Sequence, residues 1–504
     1  MKHRSTLFLI ALILFGVALQ FAGAAQKSFW EDEAFTAQMI LESPDVPGLI
    51  RTVTTRDIHP PLYTLSSFLW VQSLGLSEVR LRSLSILCIA LVLGLSFKLA
   101  SETLGRRAAW FTAVLLACSP LLVMYGHNAR YYAMSAALAL LVAISTYYYQ
   151  RSGRAIYLLP YVAGGTALLY VVYTSASVLV ACCLWYVFEW SRRRGSLGKL
   201  LLWSVAQVMI VALFLPWVPV LRASVQEEVG PAAALSAFEL IKRAGYVGVI
   251  FSVGETIALF NPVAWLGLAV TVGVALFAVF KIGRPSLVWL PFMFLLTTEG
   301  ANLAVNLAMT EPAFQNLPHR TLYAFPFFAM ILGYGLSRME RRTGIVLCAL
   351  LLSVYGVGLV NYFTYRQFLK PTMQVPWRDI MGQIEAESTD DAVVACSVGD
   401  SSCGFYVDRY NFKRATLNDL RTTAGEKPSQ IWWIQQNIAQ RYYDKQAEQD
   451  LLAAVTAAYQ STAVTNYGLH DPVVRRVKNT LLDERDDYDY RINLHKFSEP
   501  VATP

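Results

Sequence analysis

"LRSLSILCIALVLGLSFKLASETLGRRAAWFTAVLLACSPLLVMYG", residues 81–126, decides the fold. Two runs of roughly 20 apolar residues flank one short polar joint that ends in Arg106 and Arg107. At 1.5 Å per residue such a run matches a hydrocarbon core about 30 Å thick. Backbone polar groups in lipid must pair internally, so each run reads as a spanning helix. The basic joint marks a loop kept in the cytoplasm.

The same pattern recurs along the first 360 positions. Only 15% of the 504 residues are charged and 55% are hydrophobic, against about 25% charge in soluble domains. The chain reads as a polytopic α-helical membrane protein. Eleven spans are expected, near 7–25, 81–101, 108–126, 131–150, 155–173, 175–190, 200–221, 261–281, 285–306, 321–338 and 343–362. The net charge of +7 does not point to nucleic acid. It comes from basic clusters between the runs, such as Arg151/Arg154, Arg192–Arg194 and Arg338/Arg341/Arg342. The first run is also compatible with a signal peptide, but is read as an uncleaved span.

Placing every basic cluster inside requires an even number of crossings between clusters. The N-terminus is then cytoplasmic and the C-terminal region extracytoplasmic, or periplasmic, in a multi-pass protein of the cytoplasmic (inner) membrane. The stretch "PPLYTLSSFLWVQSLG", 60–75, breaks the parity if counted, so it reads as an interfacial helix on the outer side. Residues 236–258 suggest a similar element. Residues 1–362 form the membrane domain, with 26–80 as its outer loop. Residues 363–504 have soluble composition. There "DAVVACSVGD" and "SQIWWIQQN" read as strands, "PWRDIMGQIEAE" and "EQDLLAAVTAAYQ" as helices. Together they suggest a small α/β domain. Its Cys396 and Cys403 are a candidate disulfide. The other five cysteines lie in apolar runs, and no Cys/His metal pattern appears.

Four constellations fall on the outer side. "SFWEDEAFTA", 28–37, holds a capping-box pattern in Ser28 and Glu31, and two further acids, Asp32 and Glu33. Pro60 and Pro61 in "RDIHPPLY", 56–63, hold His59 extended beside Asp57. In "SPLLVMYGHNARYYAMS", 119–135, Arg130 stands where arginine is disfavoured. It either snorkels to lipid phosphates or binds a phosphate ligand. Tyr131 accompanies it, with His127 undecided. In "EPAFQNLPHRTLYAFPFF", 311–328, His319 and Arg320 repeat the pairing of cation with aromatics. Two arginines on that side, with acids opposite, look like a site for an anionic lipid-borne substrate.

In order, W-x-D-E-A, D-x-H-P-P-L-Y, S-P-x(9)-A-R-x-Y-A and an arginine entering an F-P-rich span resemble the polyprenyl-phosphate-dependent glycosyltransferases of the C-type membrane fold. The relatives are protein O-mannosyltransferases and the transferases that put aminoarabinose or galacturonic acid on lipid A. The resemblance is strongest over 25–190. It implies a hexosyl- or pentosyl-type transferase. Such an enzyme moves a sugar from a polyprenyl-phosphate donor to a hydroxyl on a lipid, glycan or protein, usually with inversion. Asp32 then matches the catalytic base, with Glu33 orienting the acceptor or, with Asp32, holding a divalent cation (Mg or Mn). Arg130, Arg320 and His59 would bind the donor phosphate. Tyr63, Tyr131, Asp57, His127 and His319 would line the site. Asn128 stands where many relatives carry an acid before the Ala-Arg pair, which removes one metal ligand. His59 stands where some lipid A transferases have lysine. Two other readings remain: a lipid-linked sugar transporter or flippase, and a ligase or polymerase moving a preassembled glycan.

Overall fold

Each of the eleven apolar runs carries a helix in the computed structural model. It describes residues 2–228, 237–282, 288–308, 318–369, 371–396, 401–415, 428–436, 445–468, 476 and 491–500. The chain opens with α1 (Lys2–Phe21), α2 (Glu31–Glu42), α3 (Val46–Arg56) and α4 (Leu62–Leu74). These are followed by α5 (Glu78–Thr103), α6 (Arg106–Ala117), α7 (Pro120–Gly126) and α8 (Tyr132–Ser152).

Among the described residues, 6 helices are long and apolar enough to cross a membrane. A seventh joins them if α6 and α7 form one span, bent by 55°. The bend has a local cause. Pro120 brings no N–H to continue α6, and Ser119 Oγ accepts from the Leu122 N–H at 3.3 Å to start α7. The other expected spans fall on shorter helices, such as Ser5–Phe21 and Ala155–Val171, or on more polar ones. Trp289–Ala308, for instance, carries Glu299 and Asn302. The quoted stretch itself forms α5, α6 and α7. α4 has 13 residues, a rod of roughly 20 Å, too short to span. The helix Leu197–Phe214 exposes Leu201, Val205 and Val208. A helix facing water would carry polar groups on that stripe.

Contacts divide the chain into two units, Met1–Ala24 with Ser43–Phe363, and Ala25–Glu42 with Thr364–Pro504. The boundary after Phe363 lies one residue from the expected one. The placement of 25–42 differs, since the sequence reading put it with the membrane part. Its aromatic anchor explains why. Phe29 is fully buried, meets the Phe405 ring edge-on at 5.5 Å, and donates its N–H to the Tyr406 hydroxyl at 2.7 Å. Ser28 Oγ accepts from the Arg378 N–H at 3.2 Å.

The second unit is α/β, as expected. Its 5-stranded sheet has the order β2 (Lys413–Ala415), β1 (Val393–Cys396), β3 (Gln430–Gln436), β5 (Arg491–Pro500), β4 (Tyr459–Gly468). β1 runs parallel to β2 and β3; β5 is antiparallel to β3 and β4. Central β3 is buried almost throughout, as a strand covered on both faces must be. Ile431 and Trp433 pack with Val393, Ala395, Val455 and Phe497. The helices Trp377–Glu387 and Lys445–Ala458 match the two expected ones. Cys396 and Cys403 form a disulfide with Cα atoms 5.9 Å apart.

Candidate active site

The turn between α3 and α4 builds the centre of the first unit's site. Asp57 ends α3, its N–H donating to Val53 O. Its Oδ1 accepts from the His59 backbone N–H at 2.9 Å and lies 2.8 Å from His59 Nδ1. This is an Asx turn that also clamps the imidazole. The prolines that follow remove competing N–H groups and lead directly into α4.

The second half comes from the loop between α7 and α8. Residues 121–130 are all buried, so the loop needs internal partners. Ser85 Oγ of α5 donates to Asn128 O at 2.8 Å, and Tyr63 OH lies 3.4 Å from the same Oγ. At Gly126 the loop passes close to the end of the Gln20 side chain, which an added Cβ would displace. Held this way, Arg130 is only 5% exposed. Its Nη2 stands 3.3 Å from His59 Nδ1 and its Nη1 3.9 Å from Asp57 Oδ2. Nδ1 cannot donate to the carboxylate and accept from the guanidinium at once. The shorter contact assigns its proton to Asp57, leaving Nε2 for a ligand.

Burial alone would raise the Asp57 pKa. The charge and hydrogen bonds of His59, with the Arg130 guanidinium, outweigh it and hold the carboxyl at about 2, against the usual 3.8. Asp57 is thus an anion that holds both the His59 ring and the Arg130 guanidinium.

Aromatic rings extend the site. Tyr131 lies 5.0 Å from the His59 ring and 4.6 Å from Tyr132, and His319 meets Tyr132 edge-on at 5.0 Å. His319 also stacks on Tyr125 at 5.3 Å, whose hydroxyl donates to Glu255 Oε1 at 2.8 Å. The second, third and fourth motifs therefore meet through packed side chains. Arg320 follows His319 and is partly exposed, while the preceding loop 309–317 lies outside the described residues. His127 does a different job. Its Nε2 bonds to Gln20 O and its Nδ1 lies 2.8 Å from Tyr362 OH. Both ring nitrogens thus tie helices together, which leaves His127 no nitrogen for a substrate.

Glu255 is the acid that sequence reasoning passed over. It is 1% exposed and follows Gly254, whose φ of +83° favours glycine. The available signal was an acid inside the apolar stretch "VIFSVGETIALF", 249–260, which marks a functional candidate by itself.

Asp32 and Glu33 belong to the second unit. α2 begins at Glu31, so its third residue is Glu33. Glu33 is fully buried, and its carboxylate accepts from the Trp30 N–H at 3.4 Å. This moves the cap from the expected Glu31, now exposed, to Glu33. Asp32 stays partly exposed in the first turn. Glu33 is committed to the cap, and among the described residues no group of three or more His, Cys, Asp or Glu is placed to hold a metal ion.

Residues 58–219 match the family model described as dolichyl-phosphate-mannose-protein mannosyltransferase. That range holds His59, Tyr63, His127, Arg130 and Tyr131. No curated protein matches the chain by sequence. In fold the chain is similar to ArnT from Cupriavidus metallidurans. Against the form bound to undecaprenyl phosphate the TM-score is 0.59 at 12% identity, over 97% of this chain and 98% of that one. Against the apo form it is 0.61 at 11% identity, over 98% of each. The chain therefore has the C-type membrane glycosyltransferase fold of ArnT, and its residues 58–219 match the mannosyltransferase family model.

Proposed function

We propose that the protein transfers a sugar from a polyprenyl-phosphate donor to a hydroxyl acceptor at the outer face of the cytoplasmic membrane, with inversion. The observation that carries this reading is the Asp57–His59–Arg130 group, an imidazole and a guanidinium held by one carboxylate and suited to bind phosphate. In the reaction the anomeric C–O bond to phosphate breaks and a bond to the acceptor oxygen forms. The donor phosphodiester leaves as a phosphate monoester, so its charge grows by one unit. Arg130, and His59 through Nε2 when protonated, offset that charge where water is scarce. Arg320 is a third candidate for this role. The acceptor's proton goes to Asp32 as general base. The undecaprenyl phosphate bound to ArnT supports a long prenyl phosphate as the leaving group. The dolichyl-phosphate-mannose family match supports a hexose as the sugar.

The test uses purified protein in detergent, polyprenyl-phosphate sugars and an extract of membrane acceptors, with released polyprenyl phosphate read by mass spectrometry. Release with matching glycosylation is expected, and Arg130→Ala should lower it about 100-fold. No release with any donor, or equal release by the variant, overturns the reading. Transfer without a sealed membrane rules out a flippase.

A further inference from the structure

The first unit carries a second built feature, at the end that holds its basic joints. Arg106 and Arg107 open α6, and Arg341 opens the helix Arg341–Phe363. Below them runs a groove of about 670 Å³ lined by Trp110, Phe111 and Val114 on one helix, and Ile345, Ala349 and Leu352 on the other. From Arg341 to Leu352 is 11 residues, roughly 16 Å of helix. The lining repeats at helical spacing on both sides, so cations sit at one end and the apolar channel continues below.

Keeping loops in the cytoplasm explains basic residues here, but not the groove they head. Three facts favour a ligand. Arg107 lies beside Gly344, where an added Cβ would meet its Nη2 at 3.4 Å, so its guanidinium reaches the second helix. Its Cζ is 5.8 Å from the Phe111 ring centre. None of the three arginines forms an ion pair among the described residues, and nearby Glu102 is engaged by Lys98 at 2.8 Å and Arg151 at 3.3 Å. Unpaired guanidinium groups suit phosphate oxygens.

We propose that this groove binds an anionic glycerophospholipid, its phosphate at Arg106, Arg107 and Arg341 and an acyl chain along Phe111 and Ala349. Basic pockets between spanning helices take anionic headgroups in this way. The site is separate from Asp57, His59 and Arg130, and the proposal does not rest on the transferase reading.

The test is native mass spectrometry and thermal unfolding of the detergent-purified full chain, titrated with phosphatidylglycerol, phosphatidylcholine or inorganic phosphate. Phosphatidylglycerol should form a one-to-one adduct and raise the melting temperature. Phosphatidylcholine should do so at least tenfold more weakly, and inorganic phosphate should give no shift. Arg106→Gln, Arg107→Gln and Arg341→Gln together should weaken the adduct at least tenfold. Ala349→Trp keeps all three arginines, fills the channel and should weaken it similarly. It serves as the folded control if the triple variant does not fold. Equal binding of the two lipids, a full shift with inorganic phosphate, or an undiminished adduct in Ala349→Trp overturns the proposal.

Discussion

Asp57 ends helix α3 and Asp32 lies in the first turn of α2, and their surroundings differ. Asp57 is buried against His59 and Arg130, and its carboxyl is held at about 2. It cannot usefully take a proton near neutral pH. Its work is electrostatic, to hold His59 and Arg130 in place. Asp32 is partly exposed, and its neighbour Glu33 caps the helix. In the proposed reaction Asp32 is the acid of the opening run that acts as the base. There the two acids serve opposite ends, leaving-group charge and acceptor proton.

The sharpest way to break this contrast is Asp32→Asn. Transfer should fall about 10³-fold, within the range for losing a general base, as read from single-turnover rates with saturating donor. An unchanged rate removes Asp32 from the chemistry. Arg130→Ala should cost about 10², and Arg130→Lys should restore only part, since an ammonium cannot bind two oxygens in a plane.

Asp57→Asn tests the electrostatic side through pH. The folded carboxyl lies below its usual 3.8, so its stabilisation is complete above that value and is lost as pH falls through about 2. The variant should be less stable than the parent by about 2 kcal/mol near neutrality. The gap should close between about pH 4 and pH 2. Melting curves in detergent across that range give the answer, and a gap constant with pH contradicts the assignment. Glu33→Gln should have the smallest effect. Glutamine also caps a helix, so activity should stay within about threefold and stability within about 0.5 kcal/mol. A loss above tenfold would return Glu33 to the acceptor or to a cation.

Much of this was legible beforehand. The apolar runs at 81–126 appear as α5, α6 and α7 because helix length and lipid thickness leave few alternatives. The order of Asp57, His59, Arg130 and His319 along the chain was readable, and these residues do meet through Tyr131 and Tyr132. Three features were not. The cap depended on which residue begins α2, a boundary that sequence places only to within a turn. His127 looked like a site residue because nothing local showed that Gln20 and Tyr362 would take both nitrogens. Glu255 was hidden by the apolar stretch around it, and its partner Tyr125 is 130 residues away.

The sequence by itself determined the membrane class, the helical runs, the α/β character of the C-terminal region and the residue types at the site. These follow from local periodicity, apolar length and turn chemistry. Only the tertiary structure decided that Asp57 would be shared by His59 and Arg130, that His127 would serve packing, and that residues 25–42 would join the C-terminal unit. Each of these depends on contacts between segments far apart in the chain. No spacing rule encodes such contacts, and burial decides what each charge can do.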